Sequence, residues 1–258
     1  MENRKGVIAV NKMFKECGIE NITEIPLELL VAGRGPVLRY KEIKGADGRI
    51  VFGNKSNAII TINSKIEYEG KRRFTIAHEL GHFEMHKNIS IHNDSDITLN
   101  NFKNGNPETE ANQFAAELLM PEKLFQEECF QKKFSPDLLR HLAEKFNSSI
   151  TSVVFRYLDI GNHPIFVFNS QENKVRYWKK TEGYFQKVKE IINLSPPGDS
   201  VAAEYFNNGT IYRKKDSAQE INKSTWLELR NYDSDDTFFE YCIVTPKYNT
   251  VLSVVWQS

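Results

Sequence analysis

Cysteine is scarce in this sequence, and long apolar runs are missing. The three cysteines, Cys17, Cys129 and Cys242, are odd in number and far apart, which argues against a disulfide framework and for a reducing compartment. None has CxxC spacing, so metal ligation by sulfur is not expected. No apolar segment approaches the roughly 20 residues of a membrane span, and the N-terminal apolar run is too short for a signal peptide. We therefore expect a soluble, cytoplasmic protein without a membrane partner.

An excess of charge of one sign is also lacking. The 34 basic and 34 acidic residues give a formal net charge of zero. Nucleic-acid binders carry a basic patch or stripe, so we expect no direct nucleic-acid binding. What is present is typical of a globular protein, with 40% hydrophobic and 26% charged residues. A chain of 258 residues can bury a full core, and two domains are expected rather than one.

The apolar pattern changes along the chain. Helical periodicity marks the first residues, and three strand-like runs follow: VLRYKEI, GRIVFG and NAIITIN. Further helical stretches extend to Gly161. After about His163 strand-like runs dominate, and one helix is expected in YFQKVKEIINL. The shift at 161–164 predicts a domain boundary.

The segment RRFTIAHELGHFEMH, from Arg72 to His86, contains an H-E-x-x-H pattern. On a helix, His78 and His82 project from the same face, and neutral imidazole is a good zinc ligand. Glu79 lies beside the metal position, where a carboxylate can take a proton from water and pass it to a leaving amine. The pattern also arises by chance, so a third ligand is needed to support a metal site.

Six downstream residues are candidates for that third ligand. The metzincin pattern requires Gly at position 85 and His at position 88, where this sequence has Met85 and Asn88, so that class is excluded. His86 lies about 6 Å beyond His82 along the helix, too far to share the ion, and we interpret it as a residue facing the helix C-terminal dipole. The candidates are His86, His92, Asp94, Asp96, Glu108 and Glu110.

The gluzincin arrangement takes its third ligand, a glutamate, from a second helix. On the helix that starts at Pro107, Glu108 lies roughly 50° from the centre of the apolar face and Glu110 roughly twice as far, on the polar side with Gln113 and Glu117. Asn112 also lies on the inward side, where it can accept a hydrogen bond from a ligand histidine. The alternative interpretation of Glu108 is an acid that complements the helix dipole.

RRFTIAHELGH, followed about 25 residues later by ETEANQFAAELLMP, resembles the ImmA/IrrE family of zinc metallopeptidases. The resemblance covers roughly residues 59–161. It implies one zinc ion per chain, bound by His78, His82 and Glu108, with Glu79 as the catalytic base. The Glu108/Glu110 choice is the one place where the register of the motif could slip.

The resemblance, together with the change of apolar pattern near residue 161, predicts the fold. We expect an α+β protein with three parts: a gluzincin-like core at 1–121, with a small antiparallel sheet and two zinc-binding helices; a helix-turn-helix-like segment at 122–161; and a separate α+β C-terminal domain of unknown role at 162–258. The stretch 149–158, where a recognition helix would lie, has only Arg156 as a basic residue, so structural packing is favoured over DNA binding.

The expected function is site-specific cleavage of a DNA-binding repressor or other regulatory protein, in a stress or mobile-element response. The strand AIITIN is expected to offer an edge on which an extended peptide can pair. The alternative is a non-proteolytic regulator that binds a transcription factor or nucleic acid, with zinc in a structural role. Glu79 favours the protease, because a structural zinc site has no use for an adjacent carboxylate. A toxin-like or anti-phage effector with the same core is not distinguishable by sequence.

Overall fold

The computed structural model describes residues 4–22, 25–53, 57–86, 107–212, 217–230 and 232–257. The chain forms two compact units. The first comprises Met1–Phe125 and Leu142–Ser149, and the second comprises Gln126–His141 and Ile150–Ser258. The segment 122–161 therefore contributes to both units. The three-part division at residues 121 and 161 stays a prediction.

The first unit combines helices with one small sheet. Its elements are α1 (Lys5–Cys17), α2 (Leu27–Arg34), β1 (Val37–Lys41), β2 (Gly48–Phe52), β3 (Ala58–Asn63), α3 (Glu69–Met85) and α4 (Pro107–Leu119). The helices α5 (Glu122–Cys129) and α6 (Pro136–Lys145) are shared between the units. Helix α1 ends at Gly18, whose φ of 66° is the left-handed conformation that glycine adopts readily at a helix end.

The sheet of the first unit is mixed, so the prediction of an antiparallel sheet was wrong. Its strand order is β1-β3-β2, with β1 parallel and β2 antiparallel to β3. The central strand is β3, which is the most apolar of the three. Its side chains at Ala58, Ile60 and Ile62 are buried. The expectation that β3 offers a free edge was also wrong, since both of its edges are paired. The edges belong to β1 and β2.

Helix α4 packs between α3 and α1, and small residues permit both close approaches. A Cβ added at Gly81 of α3 would lie 3.1 Å from three atoms of the Phe114 side chain on α4. A Cβ added at Gly6 of α1 would lie 2.5 Å from the backbone nitrogen of Phe114 and 2.7 Å from the carbonyl oxygen of Glu110. Two faces of α4 are therefore covered, one by each neighbour, and this decides which of its side chains are buried.

The second unit is built on a five-stranded antiparallel sheet of order β5-β4-β8-β7-β6. Its elements are α7 (Ile150–Ile160), β4 (Phe166–Gln171), β5 (Lys174–Lys180), α8 (Val201–Asn208), β6 (Ala218–Asn222), α9 (Lys223–Trp226), β7 (Thr237–Thr245) and β8 (Thr250–Gln257). Aromatic side chains form much of its core, and the rings of Phe168 and Trp226 stack with centroids 4.1 Å apart.

One buried carboxylate ties helix α8 to the sheet of the second unit. Glu240 of β7 is fully buried and accepts hydrogen bonds from the amides of Val201 (2.9 Å) and Ala202 (3.2 Å) at the start of α8. The indole of Trp226 donates a further bond of 3.2 Å. A carboxylate at a helix N-terminus satisfies amides that have no partner within the helix.

The helix expected in YFQKVKEIINL, residues 184–194, was wrong. The backbone of this segment instead bonds to neighbouring extended chain. Val188 forms an isolated antiparallel bridge with Leu227, and the amide of Asn193 donates to the carbonyl of Val175 at 2.7 Å. Because these groups are already used between segments, they are not available for bonds along a helix.

Two further observations bear on function. Arg156, the one basic residue of the stretch 149–158, is 5% exposed and so is not presented on a surface. No helix within the described ranges is both long enough and apolar enough to cross a membrane.

Candidate metal centre

The structure brings His78, His82 and Glu108 together. The two Nε2 atoms of the histidines are 3.0 Å apart, and each lies 3.1 Å from a different carboxylate oxygen of Glu108. His78 and His82 share one face of α3, as a four-residue spacing on a helix requires. Glu108 comes from the first turn of α4, which packs against α3. Three side chains of types that can bind a metal, from two helices, therefore converge on one point.

The donor set and its dimensions fit a zinc ion. Zinc takes nitrogen and carboxylate ligands at about 2.0–2.2 Å in tetrahedral geometry, which places the ligand atoms of neighbouring groups roughly 3.3 Å apart. The observed separations of 3.0–3.1 Å need only a slight opening to reach that value. Among the described residues, three side chains form this cluster, as in catalytic zinc sites, which keep one position open.

Asn112 orients the first histidine. Its Oδ1 lies 2.9 Å from Nδ1 of His78. Since an amide oxygen can only accept, Nδ1 of a neutral His78 carries the proton. The lone pair then lies on Nε2, the atom that faces Glu108 and His82. This is the contact with a ligand histidine that the helical spacing of Asn112 from Glu108 predicts.

The second histidine has a partner that the sequence interpretation missed. Nδ1 of His82 lies 3.1 Å from Nδ1 of His86, and Nε2 of His86 lies 3.0 Å from Oε2 of Glu110. The interpretation of His86 as a residue facing the helix dipole was therefore incomplete. The signal was present in the sequence, because His86 follows His82 by the same four residues that separate His82 from His78.

The placement of Glu110 on a polar face was wrong. Glu110 and Glu117 are each 5% exposed. The prediction allowed for one helix packed against α4. In the structure α1 packs against α4 as well and covers a second face. Lys5 of α1 donates to Oε1 of Glu110 at 2.7 Å, so the buried carboxylate is paired on both of its oxygens.

Glu79 is buried beside the cluster, with 4% of its surface exposed. Gly48, the first residue of β2, gives it room. A Cβ added at Gly48 would lie 2.6 Å from Oε1 of Glu79 and 2.6 Å from Cγ2 of Thr75. A side chain at position 48 would clash with the carboxylate and with the Thr75 methyl group, which is a role for Gly48 that no sequence pattern indicated.

Charges in the cluster influence one another strongly. Burial opposes ionisation of Glu108, but its contacts with the imidazoles of His78 and His82 hold the pKa of this carboxyl well below its usual range. Burial alone would lower the pKa of His78, yet the bond to Glu108 and the charge of Glu79 raise it above the usual value. Burial lowers the pKa of His82. These contacts favour the charged form of His78 and the ionised form of Glu108 when no metal is bound.

The remaining third-ligand candidates, His92, Asp94 and Asp96, lie outside the described residues.

The fold and the site define an α+β protein with an HExxH helix and, on two helices, a cluster of three side chains able to hold a metal ion. Residues 32–158 match the Peptidase M78 family model, described as an IrrE N-terminal-like domain, so this part of the chain belongs to the ImmA/IrrE family. The resemblance identified from the paired motifs is thus confirmed.

A likeness to a solved structure extends beyond this domain. A structure described as a Mycobacterium tuberculosis transcriptional regulator superposes with a TM-score of 0.62, over 98% of this chain and 76% of that chain, at 14% identity. At this identity the likeness shows a shared fold alone. Among curated proteins, none matches the sequence.

Proposed function

We propose that the protein is a zinc-dependent, site-specific endopeptidase that cleaves a transcriptional repressor or another regulatory protein, in a stress or mobile-element response. The observation that carries the proposal is the burial of Glu79 beside a centre of three protein ligands, His78, His82 and Glu108. Membership of a peptidase family supports the same reaction class.

The geometry supports a division of tasks among these residues. His78, His82 and Glu108 hold the zinc ion, one per chain, and Asn112 fixes the ring of His78. The bound ion supplies Lewis-acid chemistry, which makes water acidic enough to react at about neutral pH. Glu79 takes the proton from the attacking water and transfers it to the nitrogen of the leaving amine. Its low exposure keeps bulk water from competing for that proton.

Strand β2 is the edge that suits an extended substrate. It lies at one side of the sheet, and its first residue, Gly48, is in contact with Glu79. A peptide that pairs with this edge by main-chain hydrogen bonds brings its scissile carbonyl next to the catalytic carboxylate. Strand β1, at the opposite side of the sheet, is two strands away from β2.

The deciding experiment is the substitution Glu79→Gln. Glutamine keeps the size of the side chain but cannot take a proton from water. The purified variant should retain zinc and its fold and lose cleavage by about 10²–10⁴-fold, the usual contribution of a general base. Candidate repressors are incubated with wild-type protein and zinc, and the fragments are mapped by mass spectrometry. Glu69→Gln, at the exposed start of the same helix, is the matched control and should cleave normally.

The same variant tests the non-proteolytic alternative. If the biological output is binding, with zinc in a structural role, a cellular reporter of repressor release should respond equally in the wild-type and Glu79→Gln strains. A full response from a Glu79→Gln strain that retains zinc would rule out proteolysis as the function.

A further inference from the structure

Three buried side chains and one exposed lysine form a continuous hydrogen-bonded chain that ends at a proposed metal ligand. It runs from Lys5 of α1 to Glu110 of α4 (2.7 Å), from Glu110 to His86 (3.0 Å) and from His86 to Nδ1 of His82 (3.1 Å). We infer that His86 and Glu110 are positioning residues that hold His82 in the tautomer able to bind zinc. The inference rests on the proposed zinc site and adds to it two residues that do not touch the ion.

The hydrogen positions follow from the identities of the end groups. Lys5 has only donors, so Oε1 of Glu110 accepts. A carboxylate paired in this way accepts at its second oxygen as well, so Nε2 of His86 carries a proton. A neutral imidazole has a single N–H, which leaves Nδ1 of His86 as an acceptor. Nδ1 of His82 must then donate, and the lone pair of His82 lies on Nε2.

That lone pair points to the metal position. Nε2 of His82 is the atom that lies 3.0 Å from Nε2 of His78 and 3.1 Å from Glu108. The opposite tautomer would place a hydrogen on this nitrogen and prevent ligation. Both ligand histidines are thus fixed through Nδ1, His78 by a neutral amide and His82 by an anchored histidine–carboxylate pair.

Burial makes the arrangement specific. The side chains of His82, His86 and Glu110 are 1%, 4% and 7% exposed. Water therefore has little access to replace a lost partner. His86 lies directly after the last residue of α3, and its amide donates to the carbonyl of His82 at 2.8 Å. The backbone bond and the side-chain bond join the same two residues, which fixes the orientation of both rings.

Three substitutions at His86 separate positioning from packing. In His86→Asn, the amide oxygen takes the place of Nδ1 and can still accept from His82. In His86→Gln, the longer amide takes the place of Nε2 and reaches Glu110 but no longer serves His82. In His86→Phe, the ring volume remains and both bonds are lost.

The measured quantity is zinc affinity, obtained by competition with a chromogenic chelator. His86→Phe and His86→Gln should bind zinc about 10–100-fold more weakly than wild type, the usual cost of losing a partner of a ligand histidine. His86→Asn should recover most of the affinity. If ring packing alone mattered, His86→Phe would instead bind best of the three, and that order would overturn the inference.

The control is another histidine–glutamate pair, His141 and Glu128, which are 2.8 Å apart in the second unit. His141→Phe should leave zinc affinity unchanged. A wild-type protein that binds no zinc would overturn the zinc site and this inference together, whereas tight binding by every His86 variant would overturn the inference alone. If His86→Phe does not fold, long-range ¹H–¹⁵N NMR of zinc-loaded wild type decides. A protonated Nδ1 of His82 is expected, and an unprotonated one refutes the inference.

Discussion

The contact between Gly48 and Glu79 yields the sharpest prediction. In Gly48→Ala, the added Cβ would lie 2.6 Å from Oε1 of Glu79 and from Cγ2 of Thr75, whereas ordinary contacts begin at 3.4 Å. The carboxylate and the methyl group must together give way by about 0.8 Å, the difference between these distances. Misplacement of a catalytic group by about 1 Å costs roughly 10²-fold in rate. We therefore expect a kcat loss approaching that size, with zinc retained.

The same clash should lower stability. Overpacking of a buried site costs about 1–3 kcal/mol, which thermal unfolding can measure. The double variant Gly48→Ala/Thr75→Ser removes the methyl contact but leaves the carboxylate contact. It should therefore recover stability without recovering kcat. The control is Gly53→Ala, directly after the same strand, where the nearest atom to an added Cβ is 3.5 Å away, so neither property should change.

The assay follows cleavage of a peptide that contains the bond cut by the wild-type protein. Displacement of Glu79 predicts a lower kcat with little change in KM, whereas disturbed pairing of the substrate with β2 predicts a higher KM. The reasoning is refuted if Gly48→Ala cleaves with wild-type kcat. Loss of zinc from the variant, measured by elemental analysis, would show instead that the added methyl group disturbs the metal ligands.

Three further predictions concern the metal centre and the second unit. Glu108→Ala should abolish tight zinc binding, whereas Asn112→Ala should weaken it only about 10-fold, and equal losses in the same chelator competition would contradict this ranking. Zinc affinity should fall as pH drops, starting above the usual imidazole range because the raised pKa of His78 lets protons compete earlier; a pH-independent affinity would refute this. Glu240→Gln should lower the free energy of unfolding by about 1–3 kcal/mol, because a glutamine has one acceptor oxygen where the buried donors need two. The exposed Glu220→Gln on the neighbouring strand should be neutral in the same denaturant titration.

The sequence predictions that concern one helix at a time rest on the spacing of residues within that helix. The four-residue spacing of His78 and His82 and the inward angle of Glu108 follow from helix geometry alone, and the three residues meet in the structure. Predictions that required knowledge of a second neighbour were wrong. Glu110 is buried because α1 covers α4. Strand β3 is central because β1 pairs with it and not with β2, the next strand in the sequence.

The segment 184–194 illustrates the same limit. Its residues are compatible with a helix, and no local feature forbids one. The competing bonds come from Val175 and Leu227, which are distant in sequence. Propensity is a weak prior when tertiary hydrogen bonds are available to the same amides. Gly48 was not identified for a related reason, since a missing side chain matters only when the neighbour that needs the space is known.

The four-residue spacing places His86 too far away to bind the proposed metal ion, but it allows His86 to contact the proposed ligand His82. Each step of four residues on α3 advances the side chain by about 6 Å and rotates it by about 40°. His82 is therefore within reach of the metal position proposed for His78, and His86 is within reach of His82 but not of that position. The two acids of helix α4 contact successive histidines. Glu108 contacts His78 and His82, and Glu110 contacts His86. Two acids that the motif alone leaves ambiguous thus have different partners, and a slip of two residues in the register would remove both contacts at once.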